Sequence, residues 1–107
     1  MPLAKRILDS DQPKHHLGLL KMYINMEQEY KDACVQNIDD NEKFRFFAHR
    51  FKSALCYVAD EDIVAKISAL EKGFEQDSKW KTEKLAELFT LLDDLTENVK
   101  AYREEHA

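Results

Sequence analysis

Glycine and proline are scarce, with two of each in 107 residues, so few positions carry a tight turn or a helix break in the residue type itself. Nothing alternates apolar and polar residues at period two for long enough to propose a strand. Together these absences exclude a sheet-based fold and leave helices. Cys34 and Cys56 are the only cysteines; they are too few and too unpatterned for a disulfide framework or a zinc site, and they read as reduced thiols of a cytoplasmic protein. No apolar run approaches the roughly 20 residues that a membrane span needs, and no signal-peptide pattern opens the chain, so a soluble protein is expected. Positive charge is in the minority as well, with 16 Lys and Arg against 21 Asp and Glu for a formal net charge of −5. That balance argues against general nucleic-acid binding, which draws most of its free energy from cations meeting phosphates. Any cationic function has to be local.

What is present is apolar periodicity. Residues recur at alternating spacings of three and four, which place one stripe along one side of a helix. The first series is Leu19, Tyr23, Met26, Tyr30 and Ala33; the second is Phe44, Ala48, Phe51, Leu55 and Val58. A shorter third runs Ile63, Ile67, Leu70 and Phe74, and the last, of about five turns, runs Leu85, Leu88, Leu92, Leu95, Val99 and Tyr102. Helix-end chemistry lies between them. Pro13 suits a first turn, where a missing N–H costs nothing. Asp39, Asp40 and Asn41 offer an N-cap to the second helix, and Asp60 to the third, with Glu61 and Asp62 complementing the helix dipole. Gly73 is expected to end the third helix in a left-handed conformation, and Ser78 to cap the fourth. These features predict a single all-α domain over residues 1–107, an antiparallel four-helix bundle with a short extra helix over Pro2 to Leu8 that turns Leu3, Ile7 and Leu8 inward.

Against this background residues 43–52, KFRFFAHRFK, hold four cations and four phenylalanines around one histidine. On a wheel of about 100° per residue, His49 falls about 150° from the centre of the second stripe and so faces water. Arg45, Lys52, Ser53 and Cys56 share that outer face, within side-chain reach of it, while Phe46 and Tyr57 stand at its shoulder. A lone exposed histidine is ordinarily just solvated surface, and apolar side chains on a surface are commonplace. Here the exposure, a lysine one turn on, a small residue beside it and a local charge opposite to that of the chain coincide.

The stretch Ala48-His49-Arg50-Phe51-Lys52-Ser53-Ala54-Leu55, followed by Leu70-Glu71 near the end of the next helix, resembles the histidine-containing phosphotransfer (HPt) domain. Leu19-Leu20-Lys21-Met22-Tyr23-Ile24 is also similar to the first bundle helix of that family, so the likeness spans roughly residues 17 to 75. The chain departs from the family pattern at Cys56, Tyr57 and Ala59, where members often carry smaller, polar or glycine residues. The resemblance implies a phosphorelay carrier in two-component signalling, an intermediate of phosphoryl transfer rather than an independent enzyme. His49 would accept a phosphoryl group from the aspartate of a response-regulator receiver domain and pass it to another receiver. The chain would be free-standing or part of a hybrid sensor histidine kinase.

The chemistry is consistent with that implication. A neutral imidazole is the nucleophilic form, and it is well populated at cellular pH. Lys52, with Arg45 and Arg50 in lesser roles, disfavours a second positive charge on the ring and attracts an incoming phosphoryl group. No acidic cluster near His49 suggests a magnesium site, so the metal is expected on the partner. Arg45, Phe46, Arg50, Ser53, Cys56 and Tyr57 form the expected partner-binding surface, its cations facing the carboxylate pocket of the receiver. Lys66 on the following helix is a further candidate by rough placement.

Three other readings stay open. The chain is a non-catalytic bundle adaptor that has lost the relay, or a substrate domain phosphorylated directly by a kinase ATP-binding domain. Alternatively, KFRFFAHRFK is a basic amphipathic helix for anionic membranes or nucleic acid, although its phenylalanines continue into Leu55 and Val58 and so point to the core. His15-His16 is a poor metal pair, because adjacent residues on a helix diverge by about 100° and no third ligand completes a site.

Overall fold

The structure is a computed structural model that describes residues 2–107. Its elements are α1 (Lys5–Leu8), a 3₁₀ turn (Pro13–His16), α2 (Leu17–Gln36), α3 (Asn41–Val58), α4 (Glu61–Lys72) and α5 (Ser78–His106). Among the described residues there is no strand beyond a single bridge between Leu3 and Ala59. Among the described residues no helix is long and apolar enough to cross a membrane. The 29 residues of α5, at a rise of about 1.5 Å each, account for the molecule's long dimension of 43 Å. Helix α2 packs on α3 and α5, and α4 packs on the same two.

The stripes of α3 and α5 are buried at every predicted position, from Phe44 to Val58 and from Leu85 to Tyr102. In α4, Ile63, Ile67 and Leu70 are buried, but the helix stops before Phe74, which is only half-buried in the following turn. The stripe of α2 is rotated from its predicted setting. Leu20, Tyr23, Glu27 and Cys34 are buried, whereas Leu19 is 45% exposed. The buried Cys34 thiol is pushed up to about 12 by that burial.

The caps of α3 and α4 follow the sequence. Asp40 accepts from the Lys43 amide at 3.1 Å and Asp60 from the Ile63 amide at 3.1 Å, each taking up an amide that the helix leaves free. Helix α5 is capped one residue earlier than predicted, by Asp77 accepting from the Trp80 amide at 2.8 Å. Ser78 opens the helix, and its hydroxyl donates instead to Asp39. Gly73 ends α4 with φ −89°, not in the left-handed region. The reason for glycine is steric: a Cβ there would collide with the indole of Trp80.

The extra N-terminal helix is shorter than expected, and Leu8 is 41% exposed while Leu3 and Ile7 are buried. Its single turn leaves Leu8 on the solvent side. The segment is tied down by backbone: the Ala4 amide donates to Val58 O at 2.9 Å and the Asp60 amide to Pro2 O at 2.8 Å. This pairing ends α3 and draws Ala59 into an extended conformation at φ −104°, which an alanine adopts as readily as any residue.

Candidate functional site

Only Ala59 and Asp60 separate α3 from α4, so the two helices fold back on each other and residues equidistant from the link come level. His49 lies eleven residues before Asp60 and Glu71 eleven after it. The structure brings them into contact, with His49 Nδ1 and Glu71 Oε2 at 3.0 Å. The Lys52 ammonium, one turn further along α3, lies 2.8 Å from the other carboxylate oxygen, Oε1. This second contact is an ion pair without the angle of a good hydrogen bond, and among the described residues it is the only partner of that buried oxygen.

The exposures decide what each member can do. The His49 side chain is 59% exposed and Lys52 27%, while Glu71 keeps only 18%. Burial works against the charge on Glu71, but the Lys52 ammonium and the His49 N–H against its two oxygens outweigh it and hold the carboxyl below its ordinary value. Glu71 is therefore ionised across the neutral range, and an ionised carboxylate can only accept. His49 must donate from Nδ1. In the neutral ring Nε2 is then the bare nitrogen, with a lone pair available to an electrophile from solvent. The charged group bonded to the ring is thus negative, the reverse of the cationic surrounding the sequence suggested, and the Lys52 ammonium is paired with that same carboxylate.

Around this triad Arg45, Phe46, His49 and Arg50 line a depression of 420 Å³ with Glu42 and Glu71. Phe46 is 49% exposed. The Arg45 guanidinium sits 5.1 Å from the Phe74 ring centroid, and that of Arg50 sits 5.7 Å from the Phe46 centroid. The Ser53 hydroxyl donates back to the His49 carbonyl at 3.1 Å, so the next turn stays small and quiet.

The remaining predicted surface residues lie elsewhere. Cys56 is exposed and lines a separate groove with the N-terminal segment and the start of α4. Tyr57 is half-buried, its hydroxyl hydrogen-bonded to His16 Nδ1 at 2.6 Å and its ring under Arg6. Lys66 is turned toward α5, with its ammonium 4.0 Å from Glu87. His16 is engaged with Tyr57 rather than with His15.

Glu71 had served only as part of a resemblance. Its role was readable in the numbering about Asp60, given a two-residue link. Comparison of the chain with family models, with curated proteins and with solved structures gives no match in any of the three.

Proposed function

We propose that the chain is a phosphorelay carrier of the histidine phosphotransfer type, with α2 to α5 as its antiparallel four-helix bundle and His49 as the phosphoacceptor. The observation that supports this best is an exposed imidazole tied through Nδ1 to an ionised glutamate, with an ammonium held one turn away. The Nε2 lone pair attacks the phosphorus of an aspartyl phosphate on a receiver domain. The N–P bond forms as the P–O bond to the aspartate breaks, and the electron pair leaves with the carboxylate. No proton has to depart. The ring becomes cationic while keeping its Nδ1 proton, and Glu71 stabilises that charge as the buried acid of a hydrolase triad does.

Lys52 then exchanges Glu71 Oε1 for a phosphoryl oxygen, since charge-assisted contacts to phosphate are among the stronger kinds. The rest is alignment and charge stabilisation, with magnesium brought by the receiver. Transfer to a second receiver reverses these steps. Such a carrier works beside cytoplasmic receivers.

The test is incubation with a receiver domain charged on its aspartate with labelled phosphate. The wild type takes up label in an acid-labile, base-stable form, and His49→Gln takes up none while keeping the helical circular-dichroism signal and melting temperature. Label persisting in His49→Gln, or absent from the wild type across a broad panel of receivers, rejects the proposal.

A further inference from the structure

The cations near His49 are of two kinds. Lys52 is held by Glu71, whereas Lys43, Arg45 and Arg50 have no carboxylate within ion-pair distance among the described residues. Arg45 and Arg50 lie instead over aromatic rings, which neutralise no charge. In a chain of net charge −5 this leaves uncompensated positive charge on α3 between Lys43 and Arg50. Phe46 stands in the middle of it, tilted against Phe47 at 5.1 Å between centroids. A depression opens on either side: one of 380 Å³ reaching to Asn37 and Lys43, the other of 420 Å³ reaching to His49 and Arg50. Glu42 lines both, and the only other carboxylate on either is Glu71, in the second.

The C-terminal end of α3 is different. Tyr57 is closed off by Arg6 and His16, and the Ser53 hydroxyl is turned back onto its own helix.

We infer that the receiver docks asymmetrically, astride Phe46 and away from the C-terminal end of α3, and that Phe46 with Arg45 and Arg50, whose guanidinium lies over the Phe46 ring, sets which receivers are accepted. The inference rests on the relay reading and adds the footprint and the partner's chemistry. The partner presents an apolar side chain to one of the two depressions and acidic residues to the two guanidinium groups. A half-exposed aromatic flanked by arginines is the type of group on which interface energy concentrates. The unpaired cations steer an acidic partner toward it. Tyr57, the other aromatic that could have supplied apolar contact, belongs to the closure of the N-terminal segment.

The test separates binding from chemistry. With a charged receiver that labels the wild type, transfer is measured against receiver concentration for full-length Phe46→Ala, Phe46→Leu, Arg50→Ala and Lys100→Ala. The expected result is a half-saturating concentration raised tenfold or more in Phe46→Ala, with the saturated rate unchanged, and about fivefold in Arg50→Ala. Phe46→Leu recovers most of the loss. Lys100→Ala, which removes an exposed cation of α5, stays within twofold. Arg50→Ala also flattens the dependence of half-saturation on salt. Normal half-saturation in Phe46→Ala and Arg50→Ala overturns the footprint and leaves the relay standing. Absence of label from the wild type with every receiver removes the relay and this inference together.

Discussion

Two glutamates on this molecule hold a lysine and a second donor from another helix, and they do different things. Glu71 takes Lys52 and His49 across the α3–α4 interface. Glu27 takes Lys31 at 3.1 Å on its own helix and the Thr96 hydroxyl, at 2.7 and 2.9 Å from its two oxygens, across the α2–α5 interface. The two carboxylates are similarly covered, at 18% and 10% side-chain exposure. What differs is the donor. Thr96 has one hydroxyl proton and gives it to Glu27, and the neighbouring Tyr23 hydroxyl is buried without a partner, its ionisation pushed up by burial and then by the Glu27 charge. Nothing there faces water with a lone pair. His49 gives one nitrogen to its glutamate and keeps the other for solvent, so the same kind of carboxylate becomes the orienting group of a nucleophile. A donor with two ends separates a site from a clamp.

The sharpest way to break that contrast is Glu71→Gln. The charge disappears, the amide can face the ring with either end, and the cationic phosphoimidazole loses its counter-charge. Transfer to His49 is expected to fall about 100-fold, or about 2.7 kcal/mol of barrier, while denaturant melts move by less than about 1 kcal/mol, as for other partly exposed ion pairs. The reciprocal substitution, Glu27→Ala, strands the Thr96 hydroxyl in a largely buried setting and leaves the Lys31 ammonium only Asp93, 4.0 Å away. It should cost about 2 kcal/mol of stability in urea melts and leave the transfer rate of the remaining folded protein within twofold. Should Glu27→Ala slow transfer as much as Glu71→Gln, the two clusters are coupled and the contrast fails. Lys52→Ala comes next. It leaves the His49–Glu71 bond in place but removes the ammonium that meets the phosphoryl oxygens, and about a tenfold slower transfer is expected, near 1.4 kcal/mol. An unchanged rate would take Lys52 out of the chemistry.

How far the sequence reached depends on where the deciding partner lies. The buried face of α3 was readable in full, because Phe44 through Val58 is an unambiguous apolar stripe, and its cap, Asp40, is one of the three neighbouring candidates the sequence offers. Helix α2 was not. Leu19 beside Leu20 and Ala33 beside Cys34 let two stripes be drawn one residue apart. The choice falls to a polar residue, Glu27, whose partner Thr96 is 69 positions away. Lys81 hid for the same reason. It continues the α5 stripe one turn before Leu85, yet it is a lysine, 1% exposed. Its burial becomes intelligible only once Ile38 O and Asn41 Oδ1 are seen at 3.2 and 2.8 Å from its ammonium, with the Phe44 ring beneath it. The outward setting of His49 followed from its own helix; the sign of the charged group bonded to it depended on the next one.

The smallest effect is also the most specific to the Glu71 side of the comparison. Because the folded molecule holds Glu71 below its ordinary value, the carboxylate binds its proton more weakly folded than unfolded. Its contribution to stability is therefore complete above the unfolded glutamate pKa of about 4.3 and fades as pH falls through the lowered folded value. Wild type and Glu71→Gln should differ by a constant amount, under about 1 kcal/mol, in urea melts from pH 5 upward. The two curves converge as the solution is acidified below about pH 4. Lys52→Ala removes one of the two contacts that hold the charge and should move the convergence to higher pH. A difference between wild type and Glu71→Gln that stayed constant down to pH 2.5 would mean that the carboxylate's charge is not what joins α3 to α4 at this point, and the tautomer argument for His49 would lose its footing.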